Sequence, residues 1–197
     1  MYREYRDVYG LPIARVYSSE TDTWSGLIST EVSRNKCSYF GPSTLVGNVL
    51  YWPSHNWGDN ILEFDLDTQS LTVIKGPPGM NDFDNFQIIQ AEDGAIGIAV
   101  LSYHTLRLWQ RMVAIWLSRK IVPLRILLNI PPRTERKREC PRLVGYDEDT
   151  DVIFLGIRDS VYMVQPKSMQ TRQLNVTRAP NYCYPFTSFF PPGYLQK

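Results

Sequence analysis

The chain has 197 residues, long enough for one full hydrophobic core or two small ones, and 43% hydrophobic with 21% charged residues is ordinary for a folded globular protein. Its formal net charge of +1 excludes a strong generic attraction to nucleic acid or to an anionic membrane. Twelve Tyr and five Trp lean the composition toward sheet, because aromatic side chains fit pleated surfaces.

In chain order, residues 15–17 read as a short strand that turns through 18–23 and emerges at Trp24. Residues 43–46 and 49–52 flank Gly47-Asn48, and 61–64 and 71–74 flank the polar turn 65–70. After the loop Gly76-Pro77-Pro78-Gly79, residues 86–90 and 96–101 flank 91–94. Residues 106–109 and 113–117 read either as two further strands or as one amphipathic helix across 105–120. Pro131-Pro132 and the charged run behind them read as a loop. Residues 142–146 and 152–155 then flank 147–151, and 160–164 and 172–174 flank 165–169. The recurring order is strand, tight turn, strand, link, strand, turn, strand. Comparable points fall at Val16, Leu62, Leu108 and Val161, close to the period of roughly 40–50 residues expected of propeller blades. The expected fold is all-β: a partial or small β-propeller-like, kelch-like array of antiparallel four-stranded blades, with a first unit that lacks its leading hairpin. Such an array exposes apolar blade faces, which predicts self-association.

The chemistry expected of an enzyme is thin. His55 and His104 each have a serine nearby but form no metal-binding or triad pattern in the sequence. No Gly-rich phosphate loop occurs, and Asp65-Leu66-Asp67 lacks the Gly and distal Glu of a calcium loop, so it is read as a hairpin turn. The chain is therefore expected to be no enzyme and to hold no cofactor or metal. Partner contacts are expected at Trp57 and Tyr103, as aromatic anchors, and at Arg133, Arg136, Lys137 and Arg138, on a basic inter-strand loop. Neither a nucleic acid nor a membrane is an expected partner.

Cys37, Cys140 and Cys183 are odd in number and widely spaced, which fits inert thiols in a reducing compartment. The N-terminus is polar rather than signal-like, the apolar run at 95–101 is too short to span a bilayer, and the acceptor triplet Asn175-Val176-Thr177 is expected to be silent. The location these features predict is cytoplasmic or nuclear, without secretion.

Ala14-Arg15-Val16-Tyr17-Ser18-Ser19-Glu20-Thr21-Asp22-Thr23-Trp24 and Leu45-Val46-Gly47-Asn48-Val49-Leu50-Tyr51-Trp52 resemble the associated domain of plant F-box proteins, especially the large grass group. So do the stretches 61–68, 87–94, 164–170 and 184–189. The resemblance implies a tail or incomplete leading strand at 1–13, an F-box-associated domain at 14–190 and a tail at 191–197. It also implies target recognition within a cullin-based ubiquitin ligase. The family's F-box, a helical module that binds the Skp1-type adaptor, has no counterpart here, so that adaptor is an expected partner only if an F-box lies upstream. The target is not specified by the resemblance, and the family supplies no catalytic residue. A truncated relative, a stand-alone structural or self-associating β-repeat protein, and a small propeller enzyme are the alternatives.

Overall fold

The computed structural model describes residues 12–30, 42–53, 60–78, 80, 85–102, 105–129, 141–157, 159–176 and 180–185. The first of these segments is a two-stranded ribbon in which β1 (Ile13–Ala14) pairs with β4 (Ile28–Ser29) and β2 (Tyr17–Ser18) with β3 (Thr23–Trp24). Between the two pairs the Ser25 amide donates to the Val16 carbonyl at 2.7 Å, and the Val16 amide donates to the Ser25 hydroxyl at 2.9 Å. Three four-stranded antiparallel sheets follow, each with its strands in chain order. The first holds β5 (Thr44–Val46), β6 (Val49–Pro53), β7 (Asn60–Asp65) and β8 (Ser70–Lys75). The second holds β9 (Asn85–Gln90), β10 (Ile96–Leu101), β11 (Thr105–Met112) and β12 (Ile115–Pro123). The third holds β13 (Arg142–Asp147), β14 (Val152–Ile157), β15 (Ser160–Val164) and β16 (Thr171–Leu174). Leu62, Leu108 and Val161 fall in β7, β11 and β15, the third strand of each sheet, whereas Val16 lies in the ribbon between β1 and β2.

Residues 105–120 are strands because their burial alternates. Leu106, Leu108 and Gln110 are buried while Arg107 between them is exposed, a period of two that no helix produces. The turn sits at Val113-Ala114, so β12 starts later and runs further than the sequence pattern indicates. A bulge opposite Leu108 and Trp109 leaves Arg119 outside the register, and its guanidinium turns to donate to Gln110 Oε1 at 2.6 Å. The Asp65-Leu66-Asp67 segment is a hairpin turn: Asp65 Oδ1 accepts the Thr68 amide at 2.7 Å, a bond that lowers the Asp65 pKa.

The sheets stack face to face, and alternation along each strand sorts side chains between two cores. On β9 and β10, Ile88, Ile96, Ile98 and Val100 face the first sheet, where they meet Val46, Tyr51, Ile61 and Ile74. Their neighbours Ile89, Ala99 and Leu101 face the third sheet and meet Leu143, Tyr146, Ile153 and Leu155. Every residue of β10 is buried, as expected for a strand covered on both faces, which reads as an unbroken apolar run. The short helix α1 (Leu124–Leu127) follows β12 and adds Leu124, Leu127 and Leu128 to the second core. No helix among the described residues is long and apolar enough to cross a membrane.

Polar side chains lock the stack at its edges. Glu63 pairs with Arg111 at 3.4 Å, and Trp116 Nε1 donates to the Lys75 carbonyl at 2.7 Å, both joining the first sheet to the second. Lys120 Nζ donates to the Pro166 and Lys167 carbonyls at 2.9 and 2.8 Å, joining the second to the third. The innermost strands β5, β9 and β13 are edge strands, and three of their backbone amides are met by side chains from the neighbouring sheets. Asn85 Oδ1 accepts the Leu143 amide at 2.8 Å, and the Tyr146 hydroxyl accepts the Gln90 amide at 3.0 Å while donating to Asp151. Glu148 Oε1 accepts the Leu45 amide at 2.8 Å, linking the first sheet directly to the third.

Two consequences can be measured. Val113 holds φ +55° in a two-residue turn and is 96% exposed, so a β-branched residue stands where glycine is favoured and gains no burial in exchange. Val113→Gly is expected to stabilise the protein by about 1 kcal/mol, raising Tm by about 2–4 °C in a thermal melt. Burial raises the Glu148 pKa, the Leu45 amide only partly offsetting it. A carboxyl raised in the folded state binds protons more readily there than when unfolded, so stability falls as pH rises from the ordinary glutamate range through the folded value. Glu148→Gln keeps an acceptor for Leu45 without the buried charge. It is expected to melt above the wild type at neutral pH, with that advantage shrinking as the pH falls into the glutamate range.

Candidate functional site

The partner-contact residues indicated by the sequence, Trp57, Tyr103, Arg133, Arg136, Lys137 and Arg138, lie outside the described residues, as do His55 and His104. Among the described residues no group of three or more His, Cys, Asp or Glu is arranged to hold a metal ion. The distinctive surface lies instead at the two ends of the sheet stack.

At the first end, Leu62, Phe64 and Leu71 form the outer face of the first sheet, and the ribbon covers them with Ala14, Val16 and Ile28. Strand alternation then turns the ribbon's other side chains outward. Tyr17 and Trp24 are direct cross-strand partners with ring centroids 5.4 Å apart, and the Arg15 guanidinium lies 5.9 Å from the centroid of the Trp24 ring. This is a cation–π stack on an aromatic pair, and Trp24 is 60% exposed within it. Ile13 and Leu27 are exposed on the same ribbon, Leu27 at 66%. Trp, Tyr and Arg are the residue types that dominate protein-binding hot spots. The Tyr17 hydroxyl donates to Asp22, which anchors the aromatic pair to its own turn.

At the other end, Val144, Val152, Phe154 and Val161 form the outer face of the third sheet. Cys183 packs on this face, and its amide donates to the Val144 carbonyl, at the irregularity between Leu143 and Gly145. Burial raises the Cys183 thiol pKa, which keeps it protonated and inert at neutral pH. Tyr182 and Tyr184 point away from the face, with ring centroids 6.5 Å apart. Both ends therefore present aromatic pairs to solvent over an apolar sheet face.

The sequence contains the signal for the first end without displaying it. Arg15, Tyr17 and Trp24 are visible on either side of one turn, but only the register Tyr17↔Trp24 brings the two rings together.

No protein-family model and no curated protein matches the chain. Among solved structures it is similar to the extracellular domain of a one-component system from B. thetaiotaomicron, at 16% identity and TM-score 0.41 over 77% of this chain and 18% of that one. A second structure of that same extracellular domain, described as belonging to a hybrid two-component system, is similar at 15% identity and TM-score 0.41 over 77% and 19%. A protein from Lactobacillus plantarum is similar at 10% identity and TM-score 0.47, over 87% of this chain and 53% of that one. The chain thus spans less than two thirds of the length of each. The comparison corrects the expectation of a cytoplasmic or nuclear, non-secreted protein: two of these structures are extracellular domains, and that location is withdrawn.

Proposed function

We propose that this chain is a non-enzymatic β-repeat module that works by association, the ribbon end of one copy docking on the last sheet of another. The observation that carries the reading is the Arg15–Trp24–Tyr17 stack, which faces solvent from the ribbon that closes the first sheet. A stacked sheet buries its apolar faces only against neighbours, and the middle sheet has one on each side. Among the described residues the end sheets are capped only by the ribbon and by the segment around Cys183, and each cap presents an exposed aromatic pair that a second copy can cover. Because the two ends differ, the contact is heterologous, head to tail.

Sedimentation velocity from low micromolar to several hundred micromolar protein tests this. The wild type is expected to gain mass with concentration, and Trp24→Ser to weaken the association at least about tenfold with an unchanged melt. A wild type that stays monomeric throughout, or a Trp24→Ser variant that associates equally well, contradicts the reading.

A second reading takes the chain as the target-binding part of an F-box-type ubiquitin-ligase receptor or a truncated relative. It is supported by the resemblance of 45–52, 61–68, 87–94 and 164–170, stretches that contribute strands and turns to all three sheets. Co-purification with a Skp1-type adaptor, using the gene product extended through any in-frame upstream sequence, tests it. Adaptor binding by an extended form supports this reading, and an upstream sequence that encodes no F-box removes its basis.

A further inference from the structure

The innermost strands of the three sheets border a groove of about 660 Å³, within the range of about 300–1,000 Å³ typical of ligand sites. Thr44 of β5, Gln87 of β9 and the whole of β13 contribute to its wall. Its lining is more polar than apolar, unlike the packed interfaces between the sheets. Its two ends also differ in charge. At the start of β13, Arg142 donates to Asn181 Oδ1 at 2.8 Å and has no carboxylate partner among the described residues. At the far end of β13, Asp147 and Glu148 line the same groove. Asp147 accepts from Thr150 and from the Asp149 amide, Glu148 accepts from Leu45, and neither has an ion-pair partner among the described residues. The strand between Arg142 and Asp147 rises about 17 Å at about 3.4 Å per residue.

We propose that this groove binds an extended peptide segment of a partner protein, with a lysine or arginine held by Asp147 and Glu148 and a carboxylate about five residues away held by Arg142. The charge pattern selects this occupant. A guanidinium at one end fits a carboxylate, two carboxylates at the other fit a cation, and the rise of about 17 Å along β13 is the backbone length of an extended hexapeptide. The polar wall suits a peptide backbone, whose amides and carbonyls need partners along its length. The edge strands β5, β9 and β13 that border the groove are the kind of element beside which an extended chain lies. The groove shares Tyr182, Cys183 and Tyr184 with the second stack end but has no lining residue in the ribbon, so its ligand binding is separable from association through Trp24.

The test uses four fluorescein-labelled hexapeptides with the same alternating valine–threonine middle and different ends: lysine and aspartate, two lysines, two aspartates, or two threonines. Fluorescence anisotropy with the whole chain is expected to show saturable binding of the lysine–aspartate peptide, at least about tenfold tighter than the two-threonine peptide. Arg142→Glu is expected to weaken the lysine–aspartate peptide at least about tenfold and to strengthen the two-lysine peptide. That gain is a result an unfolded variant cannot give. Trp24→Ser, which tests the stack ends, is expected to leave peptide binding unchanged. Equal affinity for all four peptides, no saturable binding to the wild type, or an Arg142→Glu variant with unaltered preference overturns the proposal.

Discussion

Ile98→Ala is expected to cost about 2–5 kcal/mol of stability, measured as a fall in the midpoint of a single denaturant transition. Ile98 is fully buried on β10 and projects into the core between the first and second sheets, where Ile61, Ile88 and Val46 surround it. Truncation removes buried methyl and methylene groups and leaves a cavity that close-packed neighbours fill only in part. The loss is expected in one step because β10 also lines the second core through Ala99 and Leu101. Leu155→Ala, on the far side of that second core, is expected to lower the same transition. If Ile98→Ala released only the first sheet and left a second transition at its wild-type midpoint, the sheets would be independent units rather than one stack.

Gly145→Val is expected to detach the segment that covers the last sheet. A Cβ at this position would sit far inside contact distance of the Cys183 carbonyl oxygen and close to its carbonyl carbon and side chain. Backbone on both sides cannot yield as a flexible side chain would, so 180–185 must lift from β13. The expected loss is about 2–3 kcal/mol, that of overpacking a filled site. A more specific readout is the Cys183 thiol, which is partly buried against Val144 and Phe154. In a Cys37→Ser, Cys140→Ser background, maleimide labelling of Cys183 is expected to be slow in the parent and much faster after Gly145→Val. Equal labelling rates with an unchanged melt would mean that the segment does not rest on Gly145.

Much of the strand pattern is legible in the sequence for a local reason. Turn residues and two-residue alternation fix a hairpin within about a dozen residues, so the three meanders follow from 43–74, 86–117 and 142–174 with little long-range information. The β11–β12 hairpin was ambiguous because Leu106, Leu108 and Trp109 satisfy both a strand and a helical face, and only burial on two sides decides between them. The surfaces of interest depend on distant pairings. Glu148 meets Leu45 because the sheets converge on their innermost strands, and nothing near either residue announces the contact. Gly145 did carry a local signal, since an isolated glycine in a strand pattern marks a bulge or a close backbone approach, and here both occur.

Hydrogen exchange followed by mass spectrometry at low and high protein concentration tests head-to-tail association most directly. Amides in 13–29 and in 180–185 are expected to gain protection together as concentration rises, and Trp24→Ser to abolish both gains. Protection that appears at only one end, or at neither while the mass increases, would contradict head-to-tail association.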